Sequence, residues 1–209
     1  MRRRTRAVVA VAVGAILAGG GCGEPGRERP EARPAPGAAG ALSAEELQAR
    51  WWAWAASEPY GTNPIADPDG RFCERGQPTD VWFLAGTFGG RAERTCTVPP
   101  GTPIAFPLVN SMGEPEDCAE FMRTARGSAA LDGTAVDPDR YPGTSVTFEG
   151  VPGNAVTSYG GSHSVTACGL WVQLPAAEPG RRTLTISGFS GDFAVAVDYV
   201  LLVPEDRTV

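Results

Sequence analysis

"TLTISGFSGDFAVAVDYVLLV", residues 183–203, decides the fold. Phe193, Val195, Val197, Tyr199, Leu201 and Val203 alternate with Ala194, Ala196 and Asp198, the two-residue period of a strand with one face buried. Leu184 and Ile186 alternate with Thr183, Thr185 and Ser187 in the same way. Ser190-Gly191-Asp192 between the two runs is turn chemistry, so the stretch reads as a β-hairpin.

Upstream the same vocabulary recurs. Residues 81–88, 102–109, 144–149 and 163–174 are rich in β-branched and aromatic side chains. Pro99-Pro100-Gly101, Pro152-Gly153-Asn154, Gly160-Gly161 and Pro179-Gly180 punctuate them. Strands at this spacing predict a mainly β protein, an antiparallel β-sandwich or jelly-roll-like domain. One N-terminal α-helix precedes them. Ser43 with Glu46 forms a capping-box pattern, and Leu47, Trp51 and Trp54 fall on one helical stripe. Pro59 ends that helix at or before Glu58. Trp52 points about 100° off the stripe and is expected to be the more exposed indole.

The run VWFLAGTFGG, residues 81–90, carries apolar residues at successive positions, as a central strand does. Gly86-Thr-Phe-Gly89-Gly90 lacks the following helix that a phosphate loop requires, so the two adjacent glycines read as a hairpin turn. Residues 110–141 are acidic, glycine-rich and poorly patterned, and are expected to form a long excursion with a helical turn near Cys118–Thr124.

The chain begins with Arg2, Arg3, Arg4 and Arg6, then an apolar run from Ala7 to Ala18, the layout of a signal peptide over residues 1–21. Cys22 follows three glycines and resembles the acylated cysteine of bacterial lipoproteins, although Gly19 stands where those sites usually carry Leu. Residues 22–41 read as a lipid-anchored flexible linker rich in Pro, Gly and Ala, and residues 42–209 as a single β-rich domain. Lipid on Cys22 leaves an even set, Cys73, Cys96, Cys118 and Cys168, for an oxidising compartment. Four cysteines allow three pairings. Cys73 with Cys96 would flank the 81–88 strand, and Cys118 with Cys168 would hold the excursion to the sandwich; that pairing is expected. Every basic residue is Arg, and without the signal peptide 14 of the 18 remain against 24 acidic residues. A mature charge of about −10 argues against nucleic acid as a partner.

The block NPIADPDGRFCERGQPTDVWFLAGTFGGRAERTCTVPPGTPIAFPLVN, residues 63–110, resembles a family of uncharacterised secreted bacterial proteins with the pattern N-P…D…G…C…Q…V-W-F-L-A-G-T-F-G-G…R-x-C-x-V-P-x-G…F-P…N. The resemblance extends over most of residues 45–205. It implies the domain boundaries and brings no activity, substrate or cofactor.

Chemistry is sparse. His163, the single histidine, sits in GSHS and misses the G-x-S-x-G elbow of a serine hydrolase. Asp67-Pro-Asp69-Gly70 resembles half of a calcium loop, but the remaining ligand spacing is absent and Pro68 with Gly70 specifies the turn without metal. No cofactor is implied. Trp52 and Trp82 are left as candidate platforms for a glycan ligand. The reading favoured is an extracytoplasmic, lipid-tethered β-domain, held to the cell membrane by Cys22, with a binding or structural role toward an envelope glycan or protein. The alternative is a secreted polysaccharide hydrolase drawing its carboxylates from the acidic excursion.

Overall fold

The runs that are apolar at every position lie in one sheet, and the closing hairpin, which alternates most plainly, lies in the other. The computed structural model describes residues 40–205; the signal-peptide reading, most of the linker and Cys22 lie outside the described residues. Among the described residues, nine strands and two α-helices form a β-sandwich with a helix laid across it. The first sheet has the order β1 (Trp82–Phe83), β3 (Ile104–Gly113), β7 (Gly161–Leu174), β6 (Asp139–Gly150). The second has the order β2 (Gly90–Thr97), β9 (Phe193–Val203), β8 (Gly180–Ser190), β4 (Arg126–Leu131), β5 (Thr134–Val136).

The middle of the first sheet, β1, most of β3 and the second half of β7, is buried on both faces, whereas β6 at its edge keeps one face exposed. Trp82, Ile104, Phe106, Cys168, Leu170 and Val172 face the second sheet. Phe83, Ala105, Ala167 and Trp171, their chain neighbours, face α1 (Ala44–Ala55). A doubly covered sheet needs apolar residues at consecutive positions, which is why VWFLA, IAFPLV and GLWV read as they do. The second sheet covers the core with one face only, so β8 and β9 alternate strictly, with Leu184, Ile186, Val195, Val197, Tyr199 and Leu201 inside. β8 and β9 form the hairpin read from residues 183–203.

Helix α1 starts where Ser43 Oγ accepts from the Glu46 amide at 3.2 Å. The reciprocal half of the capping box is replaced: the Glu46 carboxylate pairs with Arg50 one turn on. Trp51 meets Trp171 edge to face, with ring centroids 5.5 Å apart, and Trp54 packs 5.8 Å from Phe83.

Several expectations need correction. The 81–88 strand shrinks to the two residues of β1, and Gly89-Gly90 turns no hairpin. The segment after Phe83 crosses from the first sheet to the second, where β2 pairs with β9 in parallel. β1 also pairs with β3 in parallel, so neither sheet is wholly antiparallel. Both glycines do adopt the positive φ expected of them, 105° and 94°. Most of the excursion is regular secondary structure. It contains the end of β3, the helix α2 (Pro115–Thr124), β4 and β5, with β4 paired to β8. Glu114 and Asp117 cap α2 reciprocally, a signature carried by carboxylates rather than by Ser and Glu. The two disulfides join Cys73 to Cys96 and Cys118 to Cys168, the pairing expected, and the second ties α2 to β7.

Candidate functional site

The polar residues of the 63–96 block hold backbone together. Asn63 donates to the carbonyls of Ala55 and Glu58 and accepts from the Ile65 amide, fastening the chain that leaves α1. Gln77 spans the Cys73 and Phe83 carbonyls and accepts from the Phe83 amide. Arg94, 2% exposed on β2, donates to the carbonyls of Ile65, Asp67, Ala85 and Gly86 and to the Tyr199 hydroxyl, all at 2.8–3.0 Å. Such donors replace the water that these loop carbonyls lose on burial.

The calcium candidate is part of this scaffold. Asp67 is buried and its carboxylate accepts from the amides of Asp69, Gly70 and Phe72 at 2.7–3.2 Å. Asp69 is exposed and paired with Arg71, whose hydrogen bond holds its carboxyl well below the ordinary range. The two carboxylates therefore act on separate partners, and no cluster of three metal-ligating side chains occurs among the described residues. Gly70, at φ +98°, lets the loop lie on β2, where a Cβ would come within 2.3 Å of the Thr95 carbonyl oxygen.

Both candidate sugar platforms are covered. Trp52 is 7% exposed, because Phe148 of β6 reaches under α1 and stacks on it at 6.5 Å. The helix thus buries a wider face than the Leu47–Trp51–Trp54 stripe. Trp82 is 5% exposed and belongs to the core between the sheets. Neither offers a ring face to solvent.

Several carboxylates of the excursion are likewise engaged. Asp132 binds the Thr183 amide and Arg182. Asp117 and Glu120 border an open depression of about 310 Å³ beside Phe121. They lie three residues apart on α2, side by side rather than across a cleft. Asp117 accepts from the Glu114 amide, and Arg123 lowers the pKa of Glu120. A general acid requires the opposite shift. His163 stacks on Phe148, and its Nε2 lies 3.3 Å from the Tyr159 carbonyl.

What the sheet crossing at residues 84–89 builds is a pair of adjoining cavities. The inner one, about 70 Å³, lies where α1, the crossing and β3 meet, with Trp52, Gly86, Phe88 and Asn110 in its wall. The outer one, about 620 Å³ and open, is bordered by Phe88, Phe189 and Phe193. Phe88, Phe193 and Val195 line both. Phe88 is 50% exposed and Phe189 46%. Asn110 reaches the inner cavity because β3 shifts register between Pro107 and Val109, a bulge that turns the following residue to the helix side. The proline inside IAFPLVN is the sequence trace of that bulge. Phe88 and Asn110 escaped the sequence reading, since nothing local distinguishes them from a turn and a strand end.

No family model, curated protein or solved structure matches this chain.

Proposed function

We propose that the chain is an exported, lipid-tethered β-sandwich domain with a binding role at the cell envelope. The observation that carries this reading is the cysteine inventory. All four described cysteines are consumed in two bridges, which fit an oxidising compartment. The fifth, Cys22, follows the apolar run and three glycines directly. The resemblance of residues 63–110 to secreted bacterial proteins belongs to the same reading. A binding role is favoured over a catalytic one because the open cavity beside the sheet crossing has aromatic walls. Asp117 and Glu120, the two carboxylates that border the depression beside α2, are committed to a cap and an ion pair.

Tethering is tested in cells with globomycin, the inhibitor of lipoprotein signal peptidase. Accumulation of the precursor, together with a mature N-terminal peptide carrying diacylglyceryl on Cys22, is expected. Normal processing under the inhibitor, or cleavage at another residue, would exclude the tether.

A further inference from the structure

Tyr159 and Tyr60 are the most exposed large hydrophobic side chains among the described residues, at 76% and 66%. Singly such rings need no explanation, but here the backbone brings the two together. The Tyr60 amide donates to the Gly153 carbonyl at 3.0 Å, and the Gly153 amide donates to the Ser158 carbonyl at 3.0 Å. Tyr60 and the turn at Ser158 and Tyr159 therefore flank Gly153, about two interstrand spacings, or roughly 10 Å, apart.

The loop that carries Tyr159 is pinned. Asn154 is 2% exposed, and its side-chain amide bonds the Val151 and Tyr159 carbonyls, Thr157 Oγ1 and the Val156 and Thr157 amides, all at 2.7–3.0 Å. His163, whose Nε2 faces the same Tyr159 carbonyl, ends a column of stacked rings that begins at buried Trp52 and passes through Phe148. Ser158 holds the left-handed conformation, φ 63°, which residues other than glycine keep only where their surroundings impose it. A ring presented by such a loop loses little conformational freedom when a ligand covers it.

The position of this tip bears on what covers it. Leu42, where the chain toward Cys22 leaves the domain, bonds the Gln173 side chain through both its amide and its carbonyl, at 2.8 and 3.0 Å. From Gln173 back to His163 runs about 30 Å of β7. The tyrosines thus stand at the end of β7 remote from the tether, which disfavours the anchoring membrane as their partner. Their chain neighbours are small or polar: Pro152, Gly153, Thr157, Ser158, Gly160 and Ser162. Two rings in such company fall well short of the roughly 800 Å² that a stable protein interface covers on each partner. They suit a chain of sugars, whose C–H faces stack on phenol rings while the hydroxyls meet the polar surroundings. Residues 150–162 carry no charge, and the flanking carboxylates are Glu149 and Glu58, the latter 3.9 Å from Arg75. A polyanion finds no unpaired cation among them.

We propose that Tyr60 and Tyr159 form a glycan-binding platform, on which a neutral oligosaccharide lies across Gly153 and stacks a pyranose ring on each phenol. The proposal rests on the envelope-binding role set out above and gives it a ligand class and a site, apart from the cavities at the sheet crossing.

The test uses the whole mature chain as its C22S variant, which carries no acyl group. Chitohexaose, cellohexaose and hexagalacturonate are titrated by calorimetry, and vesicles of phosphatidylethanolamine and phosphatidylglycerol are tested by co-sedimentation. Saturable binding of at least one neutral hexasaccharide is expected, with amide shifts on residues 58–62 and 151–163, and none of hexagalacturonate. Tyr60→Ala and Tyr159→Ala should each weaken binding about tenfold or more, the loss of one aromatic anchor. Tyr60→Phe and Tyr159→Phe keep the ring and should stay within about threefold of wild type. Both side chains are exposed, so all four variants should keep the wild-type unfolding midpoint. Should an alanine variant fail to fold, the amide shifts of the parent chain still locate the sugar. Failure of both neutral hexasaccharides to bind, shifts confined to another surface, or unchanged affinity in the folded alanine variants would overturn the proposal. So would a preference for hexagalacturonate, or vesicle binding that the alanine variants abolish, which would make the tip a membrane contact. Cys22 acylation is measured on the wild-type chain, so a failed titration does not touch the tether, and a failed tether does not touch the titration.

Discussion

Arg94 shows why single residues in this chain resist reading by sequence alone. Its side chain serves four carbonyls and one hydroxyl contributed by residues 65–67, 85–86 and 199. No local pattern encodes such a convergence. Arg94→Ala would strand those carbonyls and is expected to cost about 3–5 kcal/mol in urea unfolding; a loss under about 1 kcal/mol, on the order of a surface change, would contradict the staple. Asn63 and Gln77 were visible only as polar letters of the 63–110 block, and Asp67 only as half of a calcium-like turn. Each turns out to satisfy backbone at a distance. A second residue-scale expectation concerns Asp80, which two bonds to Arg50 of α1 hold below the usual carboxylate range. A depressed folded pKa means that the pair's contribution is complete above the unfolded value of about 3.9 and is lost as pH falls through the folded value. NMR titration of the Asp80 carboxyl should give a midpoint below that reference in the native chain and a return toward it in Arg50→Ala. Identical midpoints in both proteins would show the pair to be unformed in solution.

At the scale of elements, legibility followed coverage. The β8–β9 hairpin has one wet face, so its alternation is plain, and α1 carries its cap and stripe in consecutive residues. β2 was missed because its inward positions are Ala92, Arg94 and Cys96, among which an arginine interrupts any apolar alternation. β4 and β5 are short, and α2 is capped by acids. Trp52 was misplaced because the stripe counts only the helix, while Phe148 from β6 closes over its flank. Trp54→Ala is expected to cost about 3–5 kcal/mol, and Trp52→Ala a similar amount rather than the small loss of an exposed indole. Equilibrium unfolding of the two variants decides this. The junction of β3 with β8 carries a further expectation. Gly188 admits the Leu108 carbonyl at the bulge, where a Cβ would lie 2.3 Å from the oxygen. Backbone cannot rotate aside as a side chain does, so Gly188→Ala should cost about 1–3 kcal/mol or more through forced separation of the sheets. An unchanged midpoint of thermal unfolding would refute that contact.

For the whole molecule, the two disulfides divide the labour of holding excursions to the sandwich. Cys73–Cys96 ties the loop network of Asn63, Asp67 and Gln77 to edge strand β2, whose Thr95 amide is already taken by the Asp69 carbonyl. Cys118–Cys168 ties α2, inserted between β3 and β4, to the centre of the first sheet. The bridges close sequence separations of 23 and 50 residues, for which loop-closure entropy contributes about 3–4 kcal/mol each. Their consequences should nevertheless differ. The 63–80 loops keep several side-chain staples when Cys73 and Cys96 are lost, including all of the Arg94 bonds. Helix α2 has fewer, chiefly Ser190 Oγ donating to the Phe121 carbonyl at 2.6 Å, the Gly191 amide donating to Thr124 Oγ1 at 3.0 Å, and Arg140 on the Met122 carbonyl. Replacing Cys118 and Cys168 together by serine is therefore expected to raise amide exchange in α2 well ahead of global unfolding. The corresponding Cys73 and Cys96 double variant should lower global stability while leaving the loop amides protected. Hydrogen exchange read residue by residue separates the two patterns. Equal protection of α2 in both variants would mean that packing of Phe121 and Met122, rather than the bridge, holds the helix.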